Sequence, residues 1–167
     1  LLIRERNTAV RQQLLVSQLD DLYATILRQA FFTQFEMQAH RIIEKGATTV
    51  DLCGVYLDEL RGQFGKQVVV PDEFQWEWLT IPHFYHTPFY CYAYSFGTLL
   101  ALALHRRYLQ EGKPFVSRYL ALLAVGGSES PEIVLTAMGV NIRSMAFWQS
   151  GFDAIVDMVN TLERTIA

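Results

Sequence analysis

Cysteine is scarce in this sequence: Cys53 and Cys91 stand far apart with no CxxC spacing, which excludes a disulfide framework and a zinc knuckle and points to a reducing cytoplasm. Basic runs are missing as well. With 14 Lys and Arg against 17 Asp and Glu, a formal charge of −3 and a pI near 5.8, there is no positive face to meet a phosphate backbone, so no nucleic-acid partner is expected. Pro/Ser-rich linkers, low-complexity tracts and internal repeats are absent too, and 167 residues suit one domain with a real core. The opening residues Leu1-Leu2-Ile3-Arg4-Glu5-Arg6-Asn7 show neither an initiator Met nor a signal-peptide layout, so the chain is expected to start inside a longer protein.

Formal charge itself disappears between Leu79 and His105, where no Asp, Glu, Lys or Arg occurs. The first half of that stretch carries Pro82, Pro88 and many Tyr, His and Thr, leaving too short an apolar run to cross ~30 Å of hydrocarbon. A buried core helix is expected there, and no membrane.

What is present is helical periodicity. Leu14, Leu15, Leu19, Leu22, Tyr23, Ile26, Leu27, Ala30, Phe31, Phe35 and Met37 recur at spacings of three and four, predicting one long helix or two abutting ones with a stop at Gly46. Thr48 and Asp51 form a capping-box pattern ahead of Leu52, Val55, Tyr56, Leu60 and Phe64, predicting a second, antiparallel helix to Gly65. Val68-Val69-Val70 is one extended candidate, ended by Pro71, and Trp76 and Trp78 suggest a brief helical turn. Thr87-Pro88 reads as an N-cap with proline at the first helical position, predicting a helix to about Glu111. Lys113-Pro114 opens a further helix to Ala124, Ser130-Pro131 a short one closed by Gly139, and Phe147, Trp148, Phe152, Ile155, Val156, Val159 and Leu162 mark a final amphipathic one. The expected fold class is all-α.

The richest chemistry lies in Pro82-His83-Phe84-Tyr85-His86-Thr87-Pro88-Phe89-Tyr90-Cys91-Tyr92-Ala93-Tyr94, with two histidines and four tyrosines. Each tyrosine brings an apolar ring and one O–H, and each neutral imidazole one donor and one acceptor, which suits a site that grips carbonyls without formal charge. A single tyrosine on a buried helix is as often a core residue bonded to a backbone carbonyl. On the expected helix, Tyr85 and Tyr92 converge with His83 on one cleft, while Tyr90 and Tyr94 face away from Tyr92. Glu36 and His40, four apart, share a helix face and could aim at one target. No zinc motif is matched, however, and a surface or satisfied core histidine is the stronger default. Gly126-Gly127-Ser128 lacks the Lys and the preceding strand of a P-loop and reads as a tight interhelical turn. No Ser-His-Asp or Cys-His spacing occurs, and Ser95 has no nucleophile elbow around it.

Taken with Phe35-Glu36-Met37-Gln38-Ala39-His40 upstream and Gly126-Gly127-Ser128, Pro131 and Gly139 downstream, the Pro82–Tyr94 run resembles oligoendopeptidase F, of the thimet-oligopeptidase-like zinc metallopeptidases. The resemblance implies a mostly helical enzyme enclosing short peptides in a channel, with zinc held by an HExxH helix and a glutamate on the next helix. No histidine of this chain begins an HExxH. It therefore implies a C-terminal portion of the catalytic domain whose zinc ligands, and whose partner, are the missing N-terminal part, with no metal ligand of its own. By the same resemblance Tyr92 matches the oxyanion-binding tyrosine, His83 and Tyr85 match residues contacting the substrate or the tetrahedral intermediate, Tyr90 joins them in substrate binding, and Glu36 and His40 match a supporting motif. A fragment of this kind is expected to be inactive alone and open to self-association through faces that the missing part would cover. The alternative is a non-catalytic helical module that binds peptides or merely packs.

Overall fold

Caps and glycines punctuate the helices much as the sequence suggests. The Thr48 hydroxyl accepts the Asp51 N–H while the Asp51 carboxylate accepts the Thr48 N–H, so both reciprocal bonds of a capping box start α3 (Thr49–Phe64). The preceding turn ends on Gly46 and α3 on Gly65, both at positive φ, where a side chain would be strained. Ser130 accepts the Ile133 N–H ahead of Pro131, the cap-then-proline start of a short helix.

The computed structural model describes residues 5–166. In chain order the elements are α1 (Thr8–Leu22), a π-helical turn (Tyr23–Leu27), α2 (Arg28–Ile43), α3, a 3-10 helix (Asp72–Thr80), α4 (His83–His86), α5 (Tyr92–Glu111), α6 (Lys113–Val125), α7 (Pro131–Ala137) and α8 (Met145–Ile166). The described residues contain no strand, and the fold is all-α. Val68, Val69 and Val70 leave the helices without pairing, and Val69 is almost fully exposed. No helix among the described residues is long and apolar enough to cross a membrane.

Two compact units divide the chain, one from Asp21–Phe96 and the other from residues 5–20 with residues 97–166. In the first, α2 and α3 pack through Phe31, Phe32, Phe35 and Ala39 against Leu52, Tyr56 and Leu60. Their short connection makes them antiparallel neighbours. The core is unusually aromatic: the Phe35 ring meets Tyr56 edge-on at 4.9 Å and Phe84 at 5.4 Å, and Phe31 meets Tyr56 at 5.1 Å. Tyr56 is fully buried, so its hydroxyl needs a partner, and it donates to Glu77 Oε2 at 2.6 Å while Arg28 holds the other carboxylate oxygen at 2.6 Å.

Burial, then the Glu77 hydrogen bond and charge, push the Tyr56 hydroxyl well above the ordinary tyrosine value of 10.0. Above that pH the unfolded chain releases a proton that the folded chain keeps, so stability falls as pH rises. One such group gives a slope approaching about 1.4 kcal/mol per pH unit. Alkaline urea titrations are expected to show this fall, and to show it reduced in Tyr56→Phe; an equal slope in both proteins would assign it to other tyrosines.

In the second unit Leu104 of α5, Phe115 of α6, Leu135 of α7, Met138 and Val140 form the core. Gly151 is required here: a Cβ on it would lie 2.9 Å from the Leu99 carbonyl oxygen, so glycine is what lets α8 approach α5. Glu111 accepts from both Arg107 and Arg118, and Arg107 also donates to the Gly139 carbonyl at 2.8 Å, tying the end of α5 to α6 and to the turn after α7. Gly126 has φ of 57° and Ser128 bonds back to the Val125 carbonyl, which makes Gly126-Gly127-Ser128 the interhelical turn expected of it.

Candidate functional site

The histidine-tyrosine segment departs from its expected helix. Pro88 does not start α5; the chain makes one helical turn over His83–His86, reverses through Thr87–Cys91 and enters α5 at Tyr92. The cause lies at Phe89, the one non-glycine residue among the described residues with a left-handed backbone, φ 58°. Such a conformation costs a bulky residue about 1–3 kcal/mol and persists only where surrounding contacts dictate it. The compensating contact is at hand. Glu36 Oε1 accepts the Phe89 N–H at 2.8 Å, and a hydrogen bond to a charged group is worth about 1.5–3 kcal/mol, enough to offset the strain. The His40 ring packs on the Phe89 ring at 4.7 Å, so the Glu36/His40 pair that shares a face of α2 converges on one residue.

This reversal decides which tyrosines meet His83. Its Nε2 lies 3.2 Å from the Tyr94 hydroxyl, its ring stacks parallel to Tyr90 with centroids 6.5 Å apart, and Tyr90 and Tyr94 meet edge-on at 5.3 Å. The expected grouping of His83 with Tyr85 and Tyr92 is not formed by direct contact. Tyr85 instead lines a pocket of about 120 Å³ with Phe35, Glu36, His40, Trp78 and Phe84. Burial raises its hydroxyl above the ordinary tyrosine value, so it stays a neutral donor at neutral pH. Tyr92 is 58% exposed at the first position of α5, and its hydroxyl has no partner among the described residues. The pairing of His83 with Tyr94 escaped the sequence because it depends on a backbone inversion that Thr87-Pro88 does not signal.

The frame behind the segment is well anchored. The Ser95 hydroxyl donates to the Ile26 carbonyl at 2.9 Å, at the π-helical turn where the regular ladder is interrupted. Ser95 is thus a tether for the start of α5. Cys91 is fully buried beside the turn, and burial followed by the Glu36 charge pushes its thiol up, leaving it a packing residue. Among the described residues no three His, Cys, Asp or Glu side chains come together as a metal-binding group. What the site offers chemically is a row of exposed neutral donors, Tyr85, Tyr90, Tyr92 and Tyr94, on a braced turn beside an imidazole.

The chain is 38% identical over 136 residues to oligopeptidase PepF of Bacillus subtilis, a match covering 80% of this chain and 20% of that protein. It is 33% identical over 148 residues to an oligoendopeptidase F homolog of Borreliella burgdorferi, covering 87% and 25%. The crystal structure of oligoendopeptidase-F from Enterococcus faecium superposes with a TM-score of 0.90 at 32% identity, across 99% of this chain and 32% of that one. The chain thus spans between a fifth and a third of the length of these relatives. The family model for peptidase family M3 matches residues 2–154, nearly the whole sequence, and the chain belongs to peptidase family M3.

Proposed function

We propose that this chain is the donor-bearing part of a zinc-dependent oligoendopeptidase catalytic domain that hydrolyses short peptides. The observation that carries the reading is the braced turn between His83 and Tyr94, which presents tyrosine hydroxyls and an imidazole to solvent with no formal charge among them. In this reading Tyr92 donates to the oxyanion of the tetrahedral intermediate, and His83, Tyr85 and Tyr90 bind the substrate backbone. In this reading the zinc ligands lie in a further part of a longer protein, as the chain spans only a fifth to a third of the length of its relatives.

Neutral donors suit the task. They gain strength as charge develops on the carbonyl oxygen, so they favour the transition state over the ground state. Tyr94 is placed to orient His83: its hydroxyl meets Nε2 and so holds one edge of the imidazole ring.

A quenched short peptide tests the reading. With zinc added, the longer gene product is expected to cleave it and the isolated chain is not. Absence of cleavage by the longer product would favour the non-catalytic helical module. Cleavage by the isolated chain would show that the metal is held without any other segment.

A further inference from the structure

Glu36 is set apart from the other buried residues by its charge. It is the one charged residue in the buried core of the described residues, at 3% exposure, and a buried carboxylate is costly unless it is hydrogen-bonded or paired. Its bond partner is the N–H of Phe89, the one non-glycine residue held at positive φ, inside the turn that joins His83 to Tyr92 and Tyr94. Strain of this kind gathers where a structure must hold an otherwise unfavourable geometry. His40, one helical turn along α2, backs the same ring.

We infer that Glu36 is a positioning residue for the donor segment: its buried carboxylate, by accepting the Phe89 N–H, holds the left-handed turn that brings the Tyr94 hydroxyl to His83 and sets the start of α5 at Tyr92. The inference rests on the donor reading for its consequence in catalysis, and on geometry alone for the lock itself. Glu36 touches no reacting atom; it acts through the backbone of residues 87–91. Displacing that backbone moves His83, Tyr90, Tyr92 and Tyr94 relative to one another, and misplacement of donors by about 1 Å is enough to cost about 10²-fold in rate.

Amide hydrogen exchange at Phe89, measured in this chain, reads the lock directly. Glu36→Ala removes the acceptor and is expected to speed exchange at Phe89 by about tenfold or more, while Glu36→Gln, which keeps a carbonyl acceptor, speeds it by clearly less. In the longer gene product, Glu36→Ala is expected to lower kcat by about tenfold or more with Glu36→Gln near the parent. Adding Phe89→Gly to Glu36→Ala is expected to recover most of the loss, because glycine adopts positive φ unaided. Where Glu36→Ala gives no folded chain, the double variant is read in its place: folded, active protein supports the lock and its failure overturns it.

Unchanged exchange at Phe89 in Glu36→Ala overturns the inference. So does acceleration spread equally over Phe31 and Phe35, which would make Glu36 an ordinary core residue. If Tyr92→Phe cuts turnover and Glu36→Ala does not, the positioning role fails alone. If exchange at Phe89 rises and neither variant cuts turnover, the donor reading fails and the lock on Phe89 stands.

Discussion

Tyr92→Phe in the longer gene product is expected to lower kcat and kcat/KM together by about 10²–10³, the effect of deleting one donor to a developing oxyanion. The substitution removes a single oxygen from a side chain that is 58% exposed and whose hydroxyl has no partner among the described residues. Exposed substitutions of this sort normally change stability by no more than about 0.5 kcal/mol, so a loss of turnover could not be charged to misfolding. KM should hardly move, because the ground-state carbonyl is a weaker acceptor than the oxyanion. Steady-state kinetics with a quenched peptide separates the two constants. Near-normal turnover would remove Tyr92 from the mechanism. Tyr94→Phe, run beside it, adds a sharp alternative: a loss of 10²–10³ falling on that variant instead would move the oxyanion role to the hydroxyl that touches His83.

Phe35→Ala carries the largest expected effect on stability. Phe35 is 2% exposed and its ring contacts Tyr56 at 4.9 Å, Phe84 at 5.4 Å and Trp78 at 6.1 Å, so one truncation empties the junction of α2, α3, the 3-10 helix and α4. Removing a buried phenylalanine costs about 3–5 kcal/mol through lost transfer energy and the cavity left behind. The edge-on contacts add to that cost, each about 0.5–1.5 kcal/mol beyond area alone. Urea unfolding followed by tryptophan fluorescence in a Trp148→Phe background, which leaves Trp76 and Trp78 of the same unit, reports the change where it happens. A cost below about 1 kcal/mol would mean that the surrounding rings collapse into the gap. Because Phe84 adjoins His83, the same variant is also expected to disturb the donor turn, linking core packing to the site.

The helices were legible because their signals are local. A capping box needs four residues, and Thr48 and Asp51 supply it; glycine past a helix end needs only freedom to take positive φ, which Gly46, Gly65 and Gly139 use. The periodic apolar residues of α2 and α3 likewise predict their shared face. The same local logic failed at Thr87-Pro88. By itself that pair favours a helix from Pro88, on which Tyr90 and Tyr94 share one face and Tyr92 another. Glu36, 53 residues earlier, outcompetes it by offering a carboxylate to the Phe89 N–H. A sequence pattern cannot display a bond between residues so far apart, so the later start of α5 and the meeting of His83 with Tyr90 and Tyr94 had to await the fold.

Composition and short-range pattern by themselves determined that the chain is helical, that its middle is uncharged, and that its histidines and tyrosines crowd into one segment. They also carried the family resemblance. Tertiary structure decided the rest: that Glu36 and His40 hold the turn, that Tyr85 lines an aromatic pocket, and that Tyr92 stands exposed while Tyr94 pairs with His83. The physical reason is range. Capping and periodicity act across one or two turns, whereas the positive φ of Phe89 goes with a hydrogen bond from its N–H to a buried carboxylate on a distant helix.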